Sequence, residues 1–270
     1  MVLAFMSRNW PPSQPRSTID LEVYIFHQGK ISARYLEALT ERARTGVDVR
    51  STIDYIGSLS TPLTYFEPLL AAGGQVRWYH PLRIRYIPEF NNRTHREILT
   101  IDGAIAFVGG AGIADWWMWD GIRGKRWGDM MVRVQGPSAV ALQAVFPQNW
   151  LRVSGEILTG EDYFSNETDS AESPTLVVDS TPAAGSTQAR ILFQLLIASA
   201  RKCIHISTPY FLPASSARRA LIDAARELKV EVKILTPGDN NDQPLTRVSS
   251  RNLYGPLLEH GISIYEYAHL

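Results

Sequence analysis

Residues 91–115 read NNRTHREILTIDGAIAFVGGAGIAD, and this stretch decides the fold. Two short apolar runs lie on either side of Asp102-Gly103. An Asp-Gly pair between apolar runs is typical of a β-hairpin, because both residues accept the positive backbone dihedrals of a tight turn. The sequence therefore predicts a hairpin in which His95 and Glu97 project from the first strand on one face, two residues apart.

Three glycines, Gly109, Gly110 and Gly112, follow the second predicted strand. Small residues let backbone amides approach an anion, and a helix predicted to start after them would add the positive end of its dipole. A histidine beside an anion site indicates phosphoryl chemistry, because imidazole can act as a nucleophile or proton carrier near neutral pH. A lone histidine on a strand is more often a packing or surface residue, so the pattern alone leaves both interpretations open.

The composition limits the class of protein. The 270 residues are 45% hydrophobic and 20% charged, which suffices for one large domain or two smaller ones. The formal net charge is zero, which gives no support to a broad nucleic-acid-binding surface. Cys203 is the only cysteine, which excludes an internal disulfide, and no apolar run is long enough to span a bilayer. The six histidines lack metal-ligand spacing, so neither a metal nor a cofactor is expected.

Predicted strands and helices alternate along the chain, which indicates an α/β sandwich with a largely parallel sheet. The second part of the chain repeats the first at offsets between 183 and 187 residues. The matching segments are Ile19–Phe26 with Ile204–Phe211, Ser32–Arg34 with Ser216–Arg218, Val47–Arg50 with Val230–Lys233, and Gly74 with Gly261. A nearly constant offset marks a duplicated structural unit. By the same plan a second histidine motif is expected after Tyr267, so the second half is expected to be incomplete.

These features divide the chain into four predicted segments: an irregular leader at 1–17, a first half at 18–152, a polar linker at 153–173 and a second half at 174–270. A single helix over Pro137–Leu151 is predicted to close the first half. A strand over Thr175–Asp179 is predicted to open the second half.

The order of short motifs in the opening stretch resembles the first HxKx4D motif of the phospholipase D superfamily, and its bacterial cardiolipin synthase branch in particular. The similar segments are Thr94-His95-Arg96, Ile101-Asp102-Gly103, Phe107-Val108-Gly109-Gly110 and Ile113-Ala114-Asp115. Two positions depart from the family pattern. Glu97 stands where the family has its motif lysine, and Gly112 stands where many members have an asparagine.

The resemblance implies a phospholipase D-like fold with two pseudo-symmetric α/β halves. Each half would have a mixed, largely parallel sheet flanked by helices, and the second half would be incomplete here. The resemblance also implies site residues. The catalytic group would consist of His95, Asp129 as the carboxylate that orients it, and Asp102 as the motif aspartate. Within that group, Asp102 is expected mainly to shape the turn. The phosphate-binding residues would be Thr94, Gly109 and Gly110.

Glu97 changes the electrostatics that the resemblance implies. In the family, the lysine neutralises the substrate phosphate, so a carboxylate there replaces attraction by repulsion. At about 4 Å and an effective dielectric constant near 20, a unit-charge pair is worth about 4 kcal/mol. Turnover would then require that Arg93, Arg96 or another cation substitutes for the lysine, or that Glu97 is protonated.

The function implied by the resemblance is that of a cardiolipin synthase-like phosphatidyltransferase, which acts on phospholipid phosphodiesters through a phosphohistidine. The expected partners are a phosphatidylglycerol-like substrate and a membrane surface, with no nucleic acid. The expected location is peripheral, on the cytoplasmic side of the bacterial inner membrane. The sequence leaves the oligomeric state open.

Two alternatives stay open. One is a catalytically impaired relative that binds phospholipid or phosphate, which Glu97, Gly112 and the missing second motif favour. The other is a nuclease of the same superfamily, which the neutral charge disfavours.

Overall fold

The computed structural model describes residues 18–82, 92–118, 128–160, 163–164, 175–181, 187–238 and 244–267. The chain divides into two compact units, 1–185 and 186–270. This division falls later than the predicted linker at 153–173, and 175–181 belongs to the first unit. The predicted leader, 1–17, lies outside the described residues.

Described strands and helices alternate through the first part of the first unit. They are β1 (Thr18–Val23), α1 (Lys30–Arg44), β2 (Asp48–Asp54), a 3₁₀ turn (Leu63–Phe66), α2 (Glu67–Ala71) and β3 (Gln75–Tyr79). The later elements are β4 (Ile98–Ile101), β5 (Ile105–Gly109), a 3₁₀ turn (Asp115–Trp117), β6 (Met131–Gln135), α3 (Pro137–Gln143) and α4 (Phe146–Ser154). The helix predicted over Pro137–Leu151 is therefore two helices, because Pro147 has no amide hydrogen with which to continue the first one.

The strands of the first unit, as far as they are described, form one mixed sheet in the order β3-β2-β1-β4-β5-β6. The strands β1, β2 and β3 pair in parallel, whereas β4, β5 and β6 add antiparallel pairs. This confirms the predicted mixed α/β class. Parallel strands end at the same edge of a sheet, so the carboxyl ends of β1 and β2 lie side by side.

The predicted hairpin is present. Asp102 and Gly103 have φ of 54° and 61°, as a tight turn of this kind requires. However, β4 begins only at Ile98, so His95 and Glu97 lie in an irregular segment, 92–97, before the strand. The described residues that follow the glycines, up to 118, contain the 3₁₀ turn Asp115–Trp117 and no α-helix, so the helix predicted directly after the glycines is absent there.

The two faces of the first sheet differ in chemistry. One face packs against α1 and forms the apolar core, with Ile19, Leu21, Val23, Val49 and Ile53 among its buried members. The other face carries charged residues that are just as buried, namely Asp20, Glu22, Arg50 and Asp54. Helices α3 and α4 contribute polar contacts to it: Gln143 Nε2 donates to Asp20 Oδ2 at 2.8 Å, and Asn149 Nδ2 donates to Glu22 Oε1 at 2.5 Å. Burial of these charges is tolerated because they have ionic and hydrogen-bond partners.

The described elements of the second unit are α5 (Gln188–Ser199), β7 (Cys203–Ser207), α6 (Ser215–Arg226), β8 (Glu231–Pro237), α7 (Pro244–Arg251), α8 (Tyr254–Glu259) and β9 (Ser263–Tyr267). Its strands form a parallel sheet in the order β7-β8-β9. No helix in the described ranges is long and apolar enough to cross a membrane.

The strand register supports the predicted duplication. Ile19 pairs with Val49 in the first sheet, and Ile204 pairs with Val232 in the second, as the repeat requires. One detail of the repeat needs correction. Gly73 and Gly261 both have positive φ, 94° and 79°, so Gly261 corresponds to Gly73 rather than to Gly74.

The strand predicted over Thr175–Asp179 is absent from the described structure. Val177 instead packs against an apolar cluster that contains Ala106 and Leu142, and Asp179 pairs with Arg96. Segment 175–181 is therefore held by side-chain contacts within the first unit and does not pair as a strand.

Candidate active site

The segment 92–97, which carries His95, crosses the carboxyl ends of β1 and β2. Its Thr94 amide donates to Asp54, the last residue of β2, and the His95 ring packs on Tyr24, which follows β1. In open α/β sheets, ligands bind at the carboxyl ends of the strands. The position of His95 is therefore one at which a substrate could be reached.

His95 is exposed, and its imidazole lies 4.3 Å from the Tyr24 ring centroid at an interplanar angle of 35°. Within the described ranges, no hydrogen bond reaches the imidazole. Asp129, which is predicted to orient His95, is also exposed and accepts a hydrogen bond from the Met130 amide at 2.6 Å. Its carboxylate lies so close to Gly110 that a Cβ there would stand 2.7 Å from Oδ2. The glycine thus makes room for Asp129, and the orienting role stays a prediction.

Glu97 is only 8% exposed, and its Oε1 accepts a hydrogen bond from the Tyr24 amide at 3.2 Å. Burial raises the pKa of this carboxyl well above its ordinary value, and this outweighs the amides of Tyr24 and Ile25, which lower it. The nearby carboxylates of Glu22 and Asp129 raise the pKa of Glu97 further. The carboxyl therefore stays neutral over a wider pH range, which lessens the repulsion of a phosphate.

Arg93 and Arg96, the two candidate substitutes for the family lysine, are both engaged elsewhere. Arg93 Nε lies 3.5 Å from Asp54 Oδ2, and its Nη2 donates to the His80 carbonyl at 2.8 Å. Arg96 Nη2 lies 2.5 Å from Asp179 Oδ1, and its Nη1 donates to the Val145 carbonyl. Both guanidinium groups therefore pair within the protein. Of the two ways in which the loss of the lysine could be offset, a substitute cation or a protonated Glu97, the second is better supported.

Two of the three predicted phosphate contacts are also engaged within the protein. Thr94 is buried; its hydroxyl donates to Glu22 Oε1 and its amide donates to Asp54 Oδ2 at 3.1 Å. The Gly109 amide donates to the Glu97 carbonyl at 3.3 Å. Of the three residues, Gly110 is the exposed one.

Asp102 lies away from His95, at the far end of β4. The Thr18 amide donates to its Oδ1 at 3.0 Å, and its own amide donates to the Thr18 carbonyl at 3.1 Å. The four residues of β4 alone separate it from the 92–97 segment by about 13 Å of strand. Asp102 therefore lies at the turn and away from His95, and a catalytic part for it stays a prediction.

Asp115 has a role that the sequence interpretation missed. Its carboxylate accepts the Lys30 and Ile31 amides at 3.0 and 2.8 Å, which caps the start of α1. A signal was available, because Gly29 precedes the helix and offers no side-chain cap of its own. The contacts of Asp54 with segment 92–97 were missed as well, because they span 40 residues of sequence.

The described side chains include no group of three or more His, Cys, Asp or Glu that could hold a metal ion. The chemistry available at this edge is that of an exposed imidazole on an aromatic support, next to a buried carboxyl and a glycine turn.

Comparison with known proteins agrees with this fold and motif order. The sequence matches the family described as "Cardiolipin synthase, PLD-like domain" over residues 13–150 and 194–270. Cardiolipin synthase of Geobacillus kaustophilus is 33% identical over 260 residues, which are 92% of this chain and 50% of that protein. Cardiolipin synthase 1 of Bacillus cereus is 30% identical over 263 residues, with 94% and 51% covered.

Among solved structures, phosphatidylserine synthase from Haemophilus influenzae matches with a TM-score of 0.63 at 14% identity, over 99% of this chain and 70% of that one. Polyphosphate kinase from Porphyromonas gingivalis matches with a TM-score of 0.55 at 13% identity, over 91% and 38%. Such identities show the fold alone.

The fold and the histidine motif define a protein of the phospholipase D superfamily. Within it, the chain belongs to the cardiolipin synthase, PLD-like domain family. The chain spans about half the length of the cardiolipin synthases that it matches.

Proposed function

We propose that this chain contributes the His95 site to a cardiolipin synthase-like phosphatidyltransferase that acts on phospholipid phosphodiesters. The observation that carries the proposal is an exposed imidazole at the carboxyl edge of the sheet, in the motif order of the family. The substrate would be phosphatidylglycerol or a similar lipid, met at a membrane surface. The cytoplasmic side of the bacterial inner membrane is the location we propose for this peripheral contact.

In the proposed reaction, one histidine attacks the phosphorus of the diester. A phosphorus–nitrogen bond forms, the bond to the leaving alcohol breaks, and a second histidine gives that alcohol its proton. The hydroxyl of a second phosphatidylglycerol, or water, then gives its proton to the second histidine and attacks the phosphorus. A phosphorus–oxygen bond forms, the phosphorus–nitrogen bond breaks, and the first imidazole is released. His95 would be one member of the pair, and Asp129 stays its proposed orienting residue.

The neutral form of Glu97 has a defined part in this proposal. With its pKa raised by burial, Glu97 presents no full negative charge to an incoming phosphate below that pKa. As the pH rises through the raised pKa, the carboxylate forms and repels the substrate. Formation of the phosphohistidine should therefore decline with increasing pH, and Glu97→Gln should remove that decline.

The test is to incubate the chain with phosphatidylglycerol vesicles, quench in alkali and locate a phosphatidyl adduct by mass spectrometry. We expect the adduct on His95, its loss in His95→Ala, and a pH-dependent yield that Glu97→Gln makes flat. Glu37→Gln, an exposed glutamate on α1, is the control for a change of net charge. The proposal is wrong if no adduct forms at any pH and no cardiolipin accumulates.

A second candidate, a non-catalytic phospholipid-binding relative, is favoured by Glu97 at the lysine position and by the internal pairing of Arg93 and Arg96. It predicts binding to phosphatidylglycerol vesicles that survives His95→Ala, with neither adduct nor cardiolipin. Vesicle sedimentation distinguishes the two candidates, and absence of vesicle binding contradicts the second one.

A further inference from the structure

Asp54, at the end of β2, connects two loops of the first unit. Its side chain is 0% exposed, and each of its oxygens serves a different loop. Oδ2 accepts the Thr94 amide at 3.1 Å, and Oδ1 accepts the Ile56 and Gly57 amides at 2.9 and 3.1 Å. One buried carboxylate therefore joins segment 92–97 to the turn that follows β2.

The first of these contacts fixes the backbone next to His95. Thr94 directly precedes the histidine, and its amide is held by Asp54. Arg93, one residue earlier, places its Nε 3.5 Å from the same carboxylate oxygen and donates from Nη2 to the His80 carbonyl. The chain entering His95 is thus restrained at two consecutive residues.

The second contact fixes the aromatic support of His95. The turn held by Asp54 continues to Ser58, whose Oγ donates to the Tyr24 carbonyl at 3.0 Å and accepts the Phe26 amide at 2.8 Å. Gly57 lies so close to Tyr24 that a Cβ there would stand 2.2 Å from its carbonyl oxygen. The Tyr24 backbone is therefore hydrogen-bonded to the same turn, and the Tyr24 ring is the one against which the His95 ring packs at a tilt of 35°.

We infer that Asp54 is a positioning residue for His95, because it holds both the backbone that carries the imidazole and the ring that supports it. The importance of this position for catalysis rests on the proposed function, whereas the placement of the imidazole does not. A carboxylate suits the task, since two acceptor oxygens serve three amides and a guanidinium. An asparagine has one acceptor oxygen and would turn its NH₂ group towards donors.

The chain offers a matched control in Asp20. It is 1% exposed, lies on the neighbouring strand β1 and faces the same polar side of the sheet. Its contacts are with Gln143 Nε2 at 2.8 Å and Arg50 Nη1 at 3.7 Å, and neither partner belongs to segment 92–97. Asp20→Asn and Asp54→Asn are therefore the same chemical change at the same burial, with and without a connection to His95.

The experiment uses the full chain with ¹³C-labelled histidine and follows the imidazole Cε1–H signals by NMR. His95→Ala identifies the His95 signal, and Tyr24→Leu measures how far the neighbouring Tyr24 ring displaces it upfield. We expect Asp54→Asn to abolish that displacement and Asp20→Asn to retain it. Thermal unfolding of both variants shows which of them are folded.

If folded Asp54→Asn keeps the wild-type His95 signal, or if Asp20→Asn abolishes the displacement equally, the inference is wrong. If Asp54→Asn does not fold, Ser58→Ala is measured in its place, because it removes the hydroxyl that links the turn to Tyr24. A loss of the upfield displacement then supports the inference, and an unchanged His95 signal overturns it.

Adduct formation with phosphatidylglycerol is measured on the same samples. An absence of adduct in wild type, with the NMR result as expected, contradicts the proposed function and leaves the positioning role intact.

Discussion

Asp48 and Arg50 on β2 occupy the positions that Glu231 and Lys233 occupy on β8. Each is an acid–base pair two residues apart, with closest contacts of 3.1 Å in the first unit and 2.7 Å in the second. Their surroundings differ. The Arg50 side chain is 3% exposed and also contacts Asp20 and the Tyr163 hydroxyl, whereas the Lys233 side chain is 41% exposed. The same pattern of acid and base therefore contributes differently to stability in the two units, because the cation is buried in the first and solvent-exposed in the second.

The largest expected effect comes from breaking the buried contact between Arg50 and Asp20, whose side chains are 3% and 0% exposed. Arg50→Met should destabilise the first unit by about 3 to 5 kcal/mol, because it leaves a buried carboxylate without its cation. Lys233→Met should cause little change, because solvent already screens that pair. All seven tryptophans precede residue 186, so urea unfolding followed by tryptophan fluorescence reports on the first unit. Amide hydrogen exchange over 188–267 reports on the second. Equal destabilisation by the two substitutions would contradict the comparison.

A second effect concerns pH. Burial raises the pKa of Asp20 from 3.8 to about 6, although the Gln143 and Arg50 contacts lower it. The pKa of Asp20 is higher in the folded than in the unfolded protein, so protonated Asp20 adds to the free energy of unfolding of the first unit. This contribution is fully present below pH about 4, is lost as the pH rises through about 6, and totals about 3 kcal/mol. Asp20→Asn should remove this slope from the unfolding free energy of the first unit. His205, at the corresponding position on β7, is exposed, so His205→Asn should have little effect on the stability of the second unit. If the unfolding free energy of Asp20→Asn still falls over this pH range, a group other than Asp20 causes the pH dependence.

A smaller effect separates the first helices of the two units. Asp115 caps α1 through two amides, so Asp115→Ala should cost about 1 to 2 kcal/mol in the first unit. Asp115→Asn is the conservative control and should retain most of the capping. Thermal unfolding followed by tryptophan fluorescence measures both variants, and no loss in Asp115→Ala would show that water replaces the cap.

The smallest expected effect is a gain. Helix α6, which corresponds to α1 in the repeat, begins after Ala214 with no side-chain cap. Ala214→Asp should stabilise the second unit by about 0.5 to 1 kcal/mol, since Asp at this position can accept an amide of the first turn. Hydrogen exchange at the start of α6 checks it, with Ala217→Asp inside the helix as a control that should give less protection.

Local signals in the sequence were sufficient for much of the fold. The Asp-Gly turn specifies the hairpin on its own, and the repeat follows from matching segments whose strand register the structure reproduces. Local reasoning failed where distant partners decide the outcome. Thr175–Asp179 contains the short apolar run Leu176-Val177-Val178, yet Val177 and Asp179 find partners in the first unit and no strand forms.

The same limit applies to the candidate site. The motif order was enough to single out His95, and the structure does place it at an accessible sheet edge. The sequence could not show that Thr94 turns its hydroxyl towards Glu22, because 72 residues separate the two. Nor could it show that Arg93 and Arg96 are committed to Asp54 and Asp179, since those pairings depend on the tertiary structure.

The shared register of the two sheets has a consequence for how this chain can change in length. The offset between equivalent residues is 185 at the first strand, 183 at the second and 188 at the third, so the connections have gained and lost residues while the pairing has not moved. A slip of one residue within a strand would exchange the two faces of its sheet and expose the core. Insertions are thus confined to the loops. A library of one-residue insertions should therefore recover folded protein at the connections of both units and lose it within β1, β2, β7 and β8.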